Sequence, residues 1–309
     1  MKTQPITHSG LVSTRLSYGC MRITGTWNPQ EITPEREANG KKAVLAAYET
    51  GYSLFDHADI YAQGACEELF GKVLKDVPSM RKEIIIATKC GIRFNGDPNP
   101  NSPHRYDFSH NHIIESCEKS LQRMGIETID IYQLHRPDLL MDPEEVALAF
   151  SQLHQAGKVK YFGVSNFLPS FVTALQSKLR FRLVVNQVEI HLGRLAPFYD
   201  GTLDQCIAEG ITPLSWSPLG GGFLGEGGKT EDPKRLKLIE TLDAIAKQYG
   251  ISRTVLSLAW LLKHPSHIIP IVGSANPEHI RDAAKADDVE LDREDWYRIL
   301  VAARGEGLP

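Results

Sequence analysis

The chain has 309 residues, 42% of them hydrophobic and 23% charged, with a net charge of −4. That balance is ordinary for a globular protein and leaves no basic field for nucleic acid. No apolar stretch approaches bilayer-spanning length, and the start, MKTQPITHSG, lacks the apolar core of a signal peptide. No Pro/Gly/Ser-rich linker interrupts the chain, so a single domain over 1–309 is expected. The five cysteines are an odd number with no C-x-x-C, which reads as free thiols in a reducing cytoplasm. Cys90 directly follows Lys89, near the expected site. A nucleophilic role would need a paired His or other activating neighbour, which the sequence does not show, and packing is the expected role.

Residues 3–13 read as a β-hairpin turning at Ser9-Gly10. Eight short apolar runs follow, at 15–21, 53–56, 83–89, 128–135, 160–166, 182–187, 211–217 and 267–274. Helix-like stretches separate them, at 41–50, 67–74, 113–123, 142–157, 169–177, 202–209, 233–249 and 277–286. Gly51, Gly125, Gly157, Gly210 and Gly250 fall where these helices should end. Asp142-Pro143-Glu144-Glu145 has the form of a helix start. The alternation is that of an α/β protein, a (β/α)8 TIM barrel with an N-terminal hairpin. Two stretches exceed the minimal barrel: 253–263, read as a helix inserted before the eighth strand, and a terminal helix at 293–304. The long polar segment 90–110 is placed over the rim at the strand ends.

In such a barrel the site lies where the strands end. The second, third and fourth runs end at Asp56, Lys89 and His135, and Tyr61 closely follows Asp56. These four residue types suit proton transfer to a carbonyl oxygen. A tyrosine of ordinary pKa, about 10, is a poor acid near neutrality unless a cation lowers it. Lys89 is the expected cation, Asp56 its anchor, and His135 the group that orients the carbonyl. Hydride must come from a nicotinamide, since no side chain supplies it.

The chain reads GYSLFDHADIYAQGACE at 51–67, IIIATK at 84–89, LHRPD at 134–138 and GKVKYFGVSNF at 157–167. It continues with VNQVEIH at 185–191, SWSPLGGG at 215–222 and IPIVGS at 269–274. In these seven segments it resembles the aldo-keto reductase superfamily. The LHRPD and GGG elements are most similar to a bacterial YdhF-type branch of oxidoreductases. The resemblance implies catalytic roles for Asp56, Tyr61, Lys89 and His135. It also implies NADPH as cofactor, with NADH possible, held by Met21, Asp56, Ser165, Asn166 and Gln187. Trp216 would stack on the nicotinamide, and Ser217, Pro218, Leu219, Gly220 and Gly221 would wrap the pyrophosphate. Gly273, Ser274, Asn276 and His279 complete the implied set, helped by the helix start at Pro277. Here the chain departs from the best-known members: His279 stands where they carry an Arg, and Ala283 near their Asn. Arg281 is a further phosphate candidate.

Gly220-Gly221-Gly222-Phe223-Leu224-Gly225 fits G-x-G-x-x-G, but Gly227, Gly228 and Pro233 follow, so no helix opens and a Rossmann reading fails. Gly228-Lys229-Thr230 lacks the earlier glycine of a P-loop. A metallohydrolase built on Asp56, His57 and His135 is disfavoured by the absence of a His-x-His pair. A non-catalytic cofactor-binding subunit, like the potassium-channel β subunits of the same superfamily, is the second reading. The expected partner is a small-molecule carbonyl substrate, with no nucleic acid and no membrane. Trp27, Phe94, Tyr106 and Phe108 are candidate pocket aromatics. Substrate and oligomeric state are not legible.

Overall fold

The computed structural model describes residues 1–309. Its eight barrel strands are β1 (Ser17–Gly19), β2 (Leu54–Asp56), β3 (Ile85–Cys90), β4 (Ile129–Leu134), β5 (Val159–Ser165), β6 (Val185–Glu189), β7 (Thr212–Trp216) and β8 (Ile269–Val272). They pair in chain order, all parallel, and close between β8 and β1. Each run expected from sequence overlaps one of these strands; β3 ends one residue and β6 two residues past the expected run, and β5 starts one residue before it.

Besides a single turn at Met80–Glu83, the helices are α1 (Pro34–Thr50), α2 (Ala65–Asp76), α3 (His110–Met124), α4 (Pro143–Gln155), α5 (Pro169–Gln176), α6 (Thr202–Glu209), α7 (Pro233–Tyr249), α8 (Arg253–Leu262), α9 (Pro277–Ala284) and α10 (Arg293–Arg304). Helix α1 begins at Pro34, earlier than its apolar pattern shows, because Thr33 caps it by accepting from the Arg36 N–H. Asp142 caps α4 as expected. Gly51, Gly125, Gly210 and Gly250 terminate helices in the left-handed conformation.

The extra helices differ from the expectation. Helix α8 is not an insertion: nine of its ten residues are buried, and it packs directly on β8. It belongs to the barrel's helical layer, as an almost wholly apolar helix must. The outer pair is α7 with α10, whose patterns are amphipathic. Trp260 of α8 and Trp296 of α10 stack at 4.9 Å. Each indole N–H donates to the other's backbone carbonyl.

Inside the barrel, Leu54, Ile85, Ala87, Ile131, Val185, Leu214 and Ile269 fill the lower layers. Ile6, from the hairpin Thr3–Pro5/Val12–Thr14, packs into the same cluster. The hairpin therefore plugs the N-terminal end of the barrel. Gln4 donates to the His267 carbonyl at 2.8 Å and the Gly10 N–H to the Tyr161 hydroxyl at 2.9 Å, holding the plug in place. With one end closed, only the C-terminal rim is open to a ligand.

Candidate active site

Asp56 is the last residue of β2 and lies in register with Ala87, which brings Lys89 of β3 over it. Lys89 Nζ lies 2.8 Å from each Asp56 carboxylate oxygen, 2.6 Å from the His57 carbonyl oxygen and 3.3 Å from the Tyr61 hydroxyl. Lys89 and Asp56 are 1% and 2% exposed, so water does not compete for these bonds. Burial pushes the Asp56 carboxyl up and the Lys89 ammonium down, and each partner's charge pulls the other back.

Tyr61 opens the short turn Tyr61–Gly64, in which Ala62 and Gln63 adopt positive φ of 46° and 54°. Such a pair outside glycine is strained, and the turn folds Tyr61 back under the rim. Its ring meets Trp27 edge-on at 6.2 Å and His135 edge-on at 6.0 Å. His135 follows β4, and its buried Nδ1 has no partner. Burial, then the charges of Lys89 and Arg136, hold its pKa well below the usual histidine range, so the ring is neutral.

One electrostatic expectation needs correction. Lys89 does not make Tyr61 acidic in this state: burial, then the Asp56 charge, hold the tyrosine well above its ordinary pKa. The Lys89 charge is spent on Asp56. The cation that opposes the shift is Arg136. What Lys89 does supply is a hydrogen bond onto the tyrosine oxygen, which leaves the phenolic proton free for another acceptor.

The neighbouring strands carry a second cluster. Gln187 donates to Asp56 Oδ2 at 3.2 Å, while its own Oε1 is buried without a partner. Ser165 donates to the Gln187 carbonyl at 2.8 Å. Asn166 donates to the His135 carbonyl at 3.2 Å and to Ser165 Oγ at 2.9 Å, and accepts from Trp216 Nε1 at 2.9 Å. Its carboxamide thus ties β7 to the residue after β4. The Arg136 guanidinium lies 5.4 Å from the centroid of the Trp216 ring. Sequence reasoning did not find this contact, although Arg136 directly follows His135.

The remaining residues lie along the rim after β7, β8 and β1. Ser217 has φ 50°, Pro218 is buried, and Leu219 leads into the turn Gly220–Gly222. No helix opens there, as expected. Gly228 folds back so closely that a Cβ on it would lie 2.4 Å from the Gly222 carbonyl oxygen. Arg253 anchors the far end of this strap, donating to the carbonyls of Gly225 and Gly228. The Asn276 side chain caps α9, accepting from the Glu278 N–H, and the Ser274 hydroxyl accepts from the Asn276 N–H. Gly273 and His279 are exposed beside them, and Met21 sits in the turn after β1.

His57 takes no part in a metal set. Its ring packs on Phe70 at 4.4 Å with both nitrogens unpartnered, and burial lowers its pKa to about 3. Phe108 is a packing residue, fitted against Gly91 and stacked on Phe167. The segment 90–110 is not formless: Ile92–Arg93 pairs with Arg105–Tyr106, and Arg93 bridges Asp97 and Asp107.

A closed parallel barrel gathers Asp56, Tyr61, Lys89 and His135 at its open rim, an arrangement suited to proton transfer at a carbonyl oxygen. The chain belongs to the aldo/keto reductase family, whose profile matches residues 15–302. It is 39% identical over 308 residues to a 6-dehydroglucose reductase of Novosphingobium aromaticivorans, covering 98% of this chain and 95% of that one. It is 41% identical to the oxidoreductase YdhF of Escherichia coli, over 84% of this chain and 85% of the other. Among solved structures, the thermostable aldo-keto reductase Tm1743 superposes with a TM-score of 0.84 at 26% identity, over 98% of this chain and all of that one. The family generally uses NAD(P)H.

Proposed function

We propose that this protein reduces an aldehyde or ketone to an alcohol with NADPH, and that Tyr61 is the proton donor. The observation that carries this reading is the Asp56–Lys89–Tyr61 cluster beside a neutral His135. Lys89 occupies the tyrosine oxygen as a donor, so Tyr61 offers its proton outward. The neutral His135 ring, edge-on to Tyr61, would hydrogen-bond the same carbonyl oxygen. When bound, the nicotinamide supplies the hydride.

The rim residues fit such a group. Gln187 Oε1 and His135 Nδ1 are buried polar atoms in want of partners. A Cβ at Gly221, Gly222 or Gly273 would meet nothing within 4 Å, so the backbone there is open to a close-lying ligand. Asp56, Ser165, Asn166 and Gln187 would hold the nicotinamide amide and Trp216 its ring. Ser217, Pro218, Leu219, Gly220 and Gly221 would line the pyrophosphate. Met21, Gly273, Ser274, Asn276 and His279 would receive the adenosine end.

The test is a panel of aldehydes, ketones and sugars scored by NADPH consumption. The name of the 39%-identical relative puts 6-dehydroglucose at its head. Saturable turnover of at least one member is expected. Tight NADPH binding with no turnover of any would favour a regulatory cofactor-binding role, and absence of binding would sink the assignment.

A further inference from the structure

We propose that the cavity between the turn after β1, the start of α1 and the start of α9 receives the 2′-phosphate of NADPH, with Arg22, Arg36 and Lys42 as its cations. The proposal rests on the cofactor assignment above and extends it to the choice between NADPH and NADH.

The cavity measures about 420 Å³ and is lined by three cations, Asn39 and the residues leading into α9; no carboxylate lines it. In a chain of net charge −4, that local excess of positive charge selects an anion. Of the three cations, only Arg36 has a carboxylate within reach, Glu31 at 3.7 Å. Arg22 and Lys42 keep their charges for a ligand. A phosphate monoester, with its near-double charge and three acceptor oxygens, matches a guanidinium pair and an ammonium better than a carboxylate does.

Position favours this phosphate over a free one. Asn276 lines the cavity and also belongs to the rim assigned to the cofactor, and Arg22 directly follows Met21. The cavity is therefore continuous with the adenosine end of that rim. The start of α9 adds the positive end of a helix dipole. His279, where the family's best-known members carry an arginine, is not among the lining residues. In this chain the positive charge comes instead from the β1 side.

The approach of α1 is built in. A Cβ on Gly40 would lie 2.0 Å from the Ile23 carbonyl oxygen, so only glycine lets the helix dock this closely on the turn after β1. Gly25, at φ +68°, makes the turn on which the Arg36 stem lies. The close docking at Gly40 brings Arg36 and Lys42 of α1 to the cavity.

The experiment is equilibrium calorimetry on the full chain with NADPH, NADH, 2′,5′-ADP and 5′-ADP. The variants are the triple R22A/R36A/K42A and the single Arg22→Glu, with circular dichroism as the folding check. Loss of affinity for NADPH and 2′,5′-ADP by about 10- to 100-fold is expected in the triple variant. NADH and 5′-ADP should move by less than about threefold, because they present no 2′-phosphate. Added salt should narrow the wild-type preference for NADPH. Equal losses for NADPH and NADH, or an unchanged preference in both variants, would overturn the phosphate assignment while leaving the cofactor assignment standing. Failure of the wild type to bind either dinucleotide would overturn both.

Discussion

The two halves of the rim are built on opposite plans. From β2 to β4 the ionisable groups are sealed: Asp56, Lys89, Tyr61 and His135 are each at most 8% exposed and interlocked before any ligand arrives. From β7 round to β1 the rim is an open strap of glycines and exposed polar residues, tied down by Arg253 at one end and capped turns at the other. The difference suits what the proposed function asks of each half. Proton transfer needs donors fixed and dry, since reorganising them during the reaction would cost what they contribute. On the proposed assignment a dinucleotide lies on the other half, where glycine backbone lets a ligand approach closely.

The largest effect should come from the sealed half. Tyr61→Phe should lower kcat for carbonyl reduction by about 10²- to 10⁴-fold while NADPH affinity changes little. Single-turnover kinetics with calorimetry measures both. A rate near wild type, with chemistry rate-limiting, would move the acid elsewhere and dissolve the contrast between the halves.

Lys89→Met should be felt in the fold as well as the chemistry. It strands the Asp56 carboxylate in a buried site, at a cost of about 3–5 kcal/mol in a denaturant melt. Adding Asp56→Asn should recover part of that loss. On the proposed mechanism Lys89 and Tyr61 act as one unit, so the double variant Lys89→Met/Tyr61→Phe should be little slower than either single one. Fully additive rate losses would mean that the two work independently.

Asp59 gives the sealed half a pH signature. Its Oδ1 is buried without a partner, and burial, then the nearby charge of Glu67, push its carboxyl up to about 8. The folded protein therefore holds a proton that the unfolded chain releases near pH 4. Stability from this group is complete below the unfolded value and is lost as pH rises toward 8. Asp59→Asn should accordingly stabilise the protein above pH 8, by up to about 5 kcal/mol, and give no gain at pH 4. Melts across that range that run parallel for the two proteins would show that the carboxyl is ionised and paired.

The smallest change is expected on the open half. Trp216→Phe removes the indole bond to Asn166, worth about 1 kcal/mol. Binding of NADPH should survive, but most of the tryptophan quench that accompanies it should vanish. A variant that keeps the full quench would remove Trp216 from the nicotinamide face.

Much of this was legible in the chain. Short apolar runs ending in polar residues marked the strands, because a parallel strand buried on both faces must be apolar until it reaches the rim. Asp142-Pro143 and the terminal glycines marked helix ends because capping is local chemistry. The start of α1 was not legible, since Glu35, Arg36, Glu37 and Gly40 hide its period while Thr33 and Pro34 fix its first turn. The reversal of α7 and α8 was also hidden: whether an apolar helix is an insertion or part of the layer depends on which strand it packs against.

By itself, then, the sequence determined the barrel, the order of its strands and the residue types at their ends, because these follow from local periodicity and the parallel connection. Tertiary structure alone decided how those residues act on one another. That Lys89 spends its charge on Asp56 rather than on Tyr61 depends on distances between three chain segments and on the absence of water around them. That Arg22 and Asn276, 254 positions apart, line one cavity depends on closure of β8 against β1. Electrostatic energies turn on ångströms and burial, and neither is written along the chain.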